Sequence, residues 1–487
     1  MLKAPGIISK NMALFGKTFK VTIVSLIIAE LLSLLSYLTP ALEQATFFIV
    51  VIIALFFTLK KIEYGFYILL AELFIGSKGY LFFLDLNSTR LSIRIALFLI
   101  VGTIWCWQRL KRNDLIILKN KLSRSYLLLL IFILISFLIG IKNNEFSNVF
   151  FDVNAWLFFL LAFVFFDLIK STKQIENILQ ILLAATTLLS LKTIGTLFSF
   201  SHGLDLIGGP FYKWIRDTGV GEITYVGGNI FRVFFQSHLY VLIGFLIILG
   251  FLMIKHESIK TKKQYLYLGV YLYLTSLAII VSQSRSFWLG GLGGLIVLIA
   301  LSWFRFNFRL KKTIILIVIL VAIFASQILI IQVITGNFSG NLITNRFKDL
   351  EAESAGISRL NQLKPLTYNI LQQMITGYGF GKTLTYKSND PRILQNHPDG
   401  IYTTYAFEWG YLDIWLKMGL MGLLVYIFLI YKIAKLAFGK MDKQKTLSIG
   451  LLAGLTALLI TNIFSPYLNH PLGIGYLMLM SAIIINN

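Results

Sequence analysis

The sequence predicts an all-α, polytopic integral membrane protein with about fourteen transmembrane helices. Three observations predict it. Of 487 residues, 57% are hydrophobic and only 14% are charged, whereas an ordinary soluble domain is about 45–50% apolar and about 25% charged. The mean hydropathy is +0.78, so the apolar excess is not confined to one core. The apolar runs are long, continuous and rich in Leu, Ile and Phe, unlike the roughly 10-residue alternating strands of a membrane barrel. These properties exclude a disordered protein, a soluble multidomain enzyme and a conventional nucleic-acid binder. The single cysteine, Cys106, rules out a disulfide framework and a cysteine-rich metal site.

A helix crossing the hydrocarbon core needs about 20 largely apolar residues. Taken in order, the first span is 18–38, preceded by Lys3, Lys10, Lys17 and Lys20. It is long, and no small-residue cleavage site follows, so it is expected to remain as a membrane helix rather than be removed as a signal peptide. Next come 46–59, which is short, 64–84, which carries Glu72 and Lys78, and 94–108, again short. Spans 125–141, 153–169 and 176–199 follow, the last with Lys192 inside it. Then come 233–254, the closely spaced pair 265–282 and 286–303, and 313–334. The last three are 413–431, which contains Lys417, then 446–464 and the short 471–485. The expected division is an N-terminal bundle over 1–199, a second region over 200–464 that includes a long outside loop over 335–412, and a final helix within 465–487.

The net charge of +22 comes from 44 Lys and Arg against 22 Asp and Glu. With the N-terminus inside, 27 basic residues fall in cytoplasmic segments, 14 fall outside and three lie within spans. Seven of the outside residues belong to one long loop, which the positive-inside rule does not count. Both termini are therefore expected in the cytoplasm, and the charge reads as membrane orientation rather than a nucleic-acid footprint.

Two outside loops are long, 200–232 and 335–412. Loops of this length are functional or disordered, and both carry Trp or Tyr with Phe and Leu. Within the second, 357–375 has Leu360, Leu363, Leu366, Ile370 and Met374 at helical spacing. Pro365 should kink that helix or begin a new one. An amphipathic helix on the membrane surface is one reading of the segment.

The outside loops also gather polar groups. Arg232 stands in GGNIFRVFFQSH, and Arg285 stands in SQSRSFWLGG on a turn between two spans. Arg359 opens the helix-like stretch, and His397 lies in QNHPDG. An arginine at a membrane boundary can simply snorkel. Arg285, among Ser282, Gln283, Ser284 and Ser286, is costly there unless paired or in a wet cavity. Arginine suits bidentate binding of phosphate oxygens, so several outward arginines can hold a diphosphate without a metal. The histidines His202, His238, His256, His397 and His470 have no metal-ligand spacing, so no metal site and no cofactor are expected. His397 sits in a turn of Asn396, Pro398, Asp399 and Gly400, where an imidazole can serve as a general base. The alternative for a lone histidine is a structural role.

Gly290 with Gly294 and Gly450 with Gly454 suit close helix packing. The run Gly377-Tyr378-Gly379-Phe380-Gly381 lacks the Lys-Ser/Thr ending of a phosphate loop. Glu30, Glu72, Lys78 and Lys192 fall within apolar spans, where ionisable groups are functional candidates. A partner on another helix is the plainer explanation for Glu30.

Three pieces of 220–430 together resemble the O-antigen ligase and polymerase superfamily of bacterial membrane glycan enzymes. They are NIFRVFFQSH, SQSRSFWLGG, and SRLNQLKPLTYNILQQMITGYGFGK followed by NHPDGIYTTYAFEWGYLDIWLKMGLMGLLVY. The resemblance implies a C-type glycosyltransferase-like fold, metal-independent and inverting, with its site outside the cytoplasmic membrane. It implies an undecaprenyl-diphosphate-linked oligosaccharide as donor, a glycan or lipid acceptor and surrounding membrane lipids as partners, and no nucleic acid. Arg232 and Arg285 would bind the diphosphate, Arg359 would assist or order the long loop, and His397 would activate the acceptor hydroxyl. The chain departs from the family pattern at Pro398, where Asn is frequent, and in the longer distance from His397 to Gly419-Leu420-Met421-Gly422. The ligase reading is preferred. A polymerase of O-antigen, capsule or exopolysaccharide is the alternative within the superfamily. A lipid-linked oligosaccharide flippase or a permease is the alternative class, although the halves show no evident repeat.

Overall fold

The computed structural model describes residues 13–86, 89–112, 120–219, 221–254, 259, 261–306, 310–337, 354–441 and 445–486. Lys3, Lys10 and His256 lie outside the described residues, as do parts of several loops named above.

The described chain is predominantly helical. It begins with α1 (Lys17–Leu38), α2 (Pro40–Lys60) and α3 (Ile62–Ile75). A short hairpin, β1 (Phe83–Leu86) and β2 (Thr89–Ser92), leads into α4 (Ile93–Arg112). Then come α5 (Ser123–Asn143), α6 (Phe146–Asn154), a 3₁₀ turn, α7 (Ala162–Leu168) and α8 (Thr172–Ser201). The first long loop folds into α9 (Pro210–Thr218) and the antiparallel hairpin β3 (Gly221–Gly227) and β4 (Ile230–Phe235). The bundle resumes with α10 (His238–Met253), α11 (Lys262–Val281), α12 (Arg285–Phe306) and α13 (Leu310–Thr335). The second long loop holds α14 (Ser354–Gln372), β5 (Leu384–Lys387), α15 (Pro391–Asn396) and β6 (Ile401–Thr404). The chain closes with α16 (Gly410–Gly439), α17 (Lys445–Phe464) and α18 (Pro471–Asn486).

Among the described residues, eleven helical segments are long and apolar enough to cross a membrane. The expected fourteen is not reached by this measure, and two shorter apolar helices stand beside the eleven. Each expected span overlaps a helix, but α10 and α18 have only 16 residues and α3 only 14. The expected span 64–84 ends early because Gly76 terminates α3 and the chain then turns. The expected span 153–169 instead begins at Phe146 and is interrupted by the 3₁₀ turn Trp156–Leu161.

The apolar faces are divided between protein and lipid. On α10 almost every side chain is buried, and α18 is sealed in the same way. Gly290 and Gly294 of α12 meet the backbone of α17, where a Cβ would lie 2.7 Å from Ala457 O and 2.9 Å from Ala453 O. The small residues let the two backbones approach, as their four-residue spacing predicts. In contrast, α1, α2 and α13 leave Leu31, Ile52, Val321 and Val333 exposed, an apolar surface suited to acyl chains.

The Gly-rich run is a packing joint. Gly419 has φ 69 and ψ 178, which breaks α16 and frees carbonyls from their helical partners. Tyr378 N–H donates to Leu416 O at 2.8 Å and Gly379 N–H donates to Lys417 O at 3.0 Å. Leu420 N–H donates to Met374 O at 2.8 Å, and Phe380 N–H reaches Ser136 O on α5 at 3.2 Å. The loop thus satisfies backbone groups that a broken helix would otherwise leave unpaired.

Charges inside the bundle are paired. Glu30 meets Lys192 at 2.7 Å, and the ammonium also lies 4.3 Å from the centre of the Trp214 ring. Glu72 takes two hydrogen bonds from Arg94, at 2.8 and 2.9 Å. Lys417 reaches Asp152 at 2.8 Å and Asp413 at 2.6 Å. Asp152 also accepts from Gly381 N–H at 2.8 Å, tying this network to the joint.

Candidate functional site: an arginine cluster at the loop end of the bundle

Arg232 lies on β4, not at the start of a span as the expected boundary at 233 suggested. The apolar run FRVFF continues into α10 in sequence, but the chain pairs it with β3 first and begins the helix only at His238. The hairpin register sets Arg232 opposite Thr224, and Glu222 opposite Phe234. The guanidinium donates from Nε to Ser282 O at 3.1 Å and from Nη1 to Glu222 Oε2 at 3.2 Å. It also lies 5.0 Å from the centre of the Phe234 ring. Burial pulls the Arg232 pKa below the usual arginine value. Glu222 opposes that shift, and the Arg359 charge adds to it. An arginine stays protonated in practice, so this stress is relieved by bringing in negative charge.

Arg285 opens α12 across the tight turn that the spacing predicts. Ser282 N–H closes onto Ala278 O at 2.9 Å and Gln283 N–H onto Ile280 O at 3.0 Å. Gln283 adopts φ 45, which reverses the chain between α11 and α12. The turn hydroxyls bond one another and the next element, Ser284 to Ser286 at 3.1 Å and Ser286 to Ser465 at 3.4 Å. Arg285 is half-buried and lies close enough to Arg359 and Arg232 to feel both charges. Its position at the first turn of α12 adds the partial positive charge of a helix N-terminus.

Arg359 lies on α14, where its Nε donates to Glu408 Oε2. Two further bonds hold this junction. Trp409 Nε1 donates to Arg359 O at 2.8 Å, and Glu408 N–H donates to Gln362 Oε1 at 3.1 Å. Pro365 does not break α14, contrary to expectation. Its neighbours Leu366 and Ile370 are buried against Leu384, Phe407 and Leu416, and that packing offsets the lost backbone bond. The apolar stripe docks on the protein through Leu366 and Ile370, while Leu360 and Met374 stay exposed.

His397 sits in the expected turn. Its N–H closes α15 onto Ile393 O at 2.7 Å, its carbonyl accepts from Gly400 N–H at 2.9 Å, and its side chain is exposed. The three arginines lie within electrostatic reach of one another, and His397 is not among the groups that act on Arg232 or Arg285. Among the described residues no hydrogen bond or ion pair joins them. His397 belongs instead to the β5–β6 excursion that packs on α14, where Asn389 N–H donates to Ser358 Oγ at 2.8 Å.

Sequence reasoning missed the acidic partners Glu222 and Glu408. Hairpin pairing and a contact across 49 positions put them there, and no local motif announces either one. It also read Lys78 as an intramembrane charge, whereas Lys78 lies beyond the end of α3 and Glu222 acts on it electrostatically.

A small, mostly apolar crevice opens beside the cluster, lined by Leu197, Ile230, Phe231, Ile280, Trp288 and Gln283 among others. The geometry thus combines fixed cations with an adjoining apolar groove.

Residues 270–427 match the family model described as O-antigen ligase. That segment is similar to the O-antigen ligase family. The match contains Arg285, Arg359, His397 and the broken helix α16, while Arg232 precedes it. A search of curated proteins found no match. The apolar helices make this a multi-pass membrane protein, and the matched segment lies within it.

Proposed function

We propose that this O-antigen ligase-type protein moves a glycan from undecaprenyl diphosphate to an acceptor hydroxyl on the outer side of the cytoplasmic membrane. The observation that carries the reading is the convergence of Arg232, Arg285 and Arg359 within the ligase-type region and its immediate approach. The diphosphate lies on Arg232 and Arg285, and Arg359 completes the phosphate site.

In the reaction the acceptor oxygen attacks the anomeric carbon from the face opposite the diphosphate. A carbon–oxygen bond forms, the bond to the diphosphate breaks, and the leaving group departs with the electron pair. His397 takes the acceptor proton, and the anomeric centre inverts. Preorganised cations in a site of low dielectric stabilise the charge that develops on the leaving diphosphate, and they need little reorganisation to do so. No metal is required for this charge balance.

In cells, Arg285→Ala and His397→Ala should each abolish the surface polysaccharide while the protein still inserts at wild-type level. The linkage made by the wild type separates the two acceptors. Glycan on the lipid A core identifies a ligase, and chain growth on the next lipid-linked unit identifies a polymerase. Wild-type polysaccharide in both variants would falsify the site assignment.

A further inference from the structure

The turn that follows α3 presents a cation that the arginine reading does not use. Gly76 ends the helix, and Gly79 N–H closes the turn onto Gly76 O at 2.7 Å. Ser77 has φ 51, a left-handed conformation costly for a side chain other than glycine. The surroundings impose it. Ser77 is fully buried, and its N–H donates to Ser237 Oγ at 2.8 Å. Its carbonyl accepts from Arg94 Nη1 at 2.7 Å, and Arg94 is itself clamped by both oxygens of Glu72. The buried Glu72–Arg94 pair therefore braces this turn as well as balancing charge.

Between the two fixed residues Ser77 and Gly79 stands Lys78, whose side chain is exposed. Its position relative to the arginines follows from the stitching of the loops. Ser237, which holds the Lys78 turn, comes directly after the strand that carries Arg232. Arg232 in turn bonds Ser282 O, in the turn that carries Arg285. Glu222, the partner of Arg232 at 3.2 Å, also acts electrostatically on Lys78. Protein walls around Lys78 favour its neutral amine, and the Glu222 carboxylate opposes that. Lys78 is thus an exposed cation on a rigid turn, tied through Ser237 to the strand that carries Arg232.

We propose that Lys78 is a further substrate-binding residue, a fourth cation that contacts the diphosphate of the lipid-linked donor. The inference rests on the proposed function. A lysine supplies a compact charge with three donors, which complements the forked contacts of arginine on the same phosphate oxygens. The Glu72–Arg94 pair acts through the turn and is a positioning element.

The test measures binding of a polyprenyl diphosphate, and of the polyprenyl monophosphate of equal chain length, to the full-length protein in lipid nanodiscs. Wild type is compared with Lys78→Gln, Lys78→Arg and Arg285→Ala, with melting temperatures taken alongside. Lys78→Gln should weaken diphosphate binding on the order of 10- to 100-fold, the range expected of a hydrogen bond between charged groups. It should weaken monophosphate binding less, and Lys78→Arg should stay within a few-fold of wild type. If Lys78→Gln binds like wild type while Arg285→Ala is impaired, Lys78 has no such role and the arginine site stands. If none of the variants alters binding, the arginine site falls too. A weakened Lys78→Gln with a lowered melting temperature that Lys78→Arg fails to restore makes the residue structural and overturns the proposal.

Discussion

Inside the bundle, Glu72 faces Arg94, Glu30 faces Lys192, and Lys417 faces Asp152 and Asp413. At the loop end, Lys78, Arg232, Arg285 and Arg359 gather about Glu222 and Glu408. Both regions pair cations with carboxylates, but only the loop cluster holds several arginines within electrostatic reach of one another. The bundle seals each charge with its counter-charge, as removal from water demands. The loop cluster sets cations against one another, and burial adds to the stress on Arg232. Folding alone gains nothing from that crowding. A site that must receive an anion does.

That contrast can be broken from either side. Lys417→Met leaves Asp152 and Asp413 facing each other without a cation, and it should show the largest effect. Breaking a buried pair costs about 3–5 kcal/mol. Thermal unfolding in detergent should show the loss, while transfer per folded molecule stays near wild type. Unchanged stability with lost transfer would move this network into the site. Arg285→Ala should behave in the reverse way. Transfer should fall by about 10²–10³, the usual cost of removing a preorganised electrostatic contact, with the unfolding temperature held. Glu30→Gln should be mildest, at about 1–2 kcal/mol of stability, because Lys192 keeps its contact with Trp214. A Glu30→Gln variant that folds normally and fails in transfer would show that pairing alone does not explain this charge.

The sequence made the helices legible and the pairings illegible, for a physical reason. Span positions follow from long apolar runs, which any membrane helix must have. Their ends are harder, because apolar content does not distinguish a helix from a strand that runs into it. Val233 to Phe235 therefore reads as the start of a span although it belongs to strand β4. Lys78 reads as intramembrane for a similar reason, since the turn at Gly76 is flanked by apolar residues on both sides. The turn bearing Arg285 was legible from the serines and glutamine between two spans. Partners were not, because Glu30 and Lys192 lie 162 positions apart and their contact depends on how α1 and α8 cross. Pro365 misled because its local cost is real, but Leu366 and Ile370 make the helix worthwhile only once β5 and α16 are in place. The Gly-rich run was legible only by exclusion. Its positive role, satisfying the carbonyls freed at Gly419, depends on a break in another helix.

The central claim is that the arginine cluster serves glycan transfer rather than transport. The most direct measurement uses purified full-length protein in detergent micelles with a polyprenyl-diphosphate-linked oligosaccharide and an acceptor. No second compartment exists there, so transport alone yields nothing. The account predicts glycan joined to the acceptor with inverted anomeric configuration, polyprenyl diphosphate released, and neither with Arg285→Ala. Intact donor after incubation, together with movement of that donor across the bilayer of proteoliposomes, would contradict it and assign the cluster to a transporter.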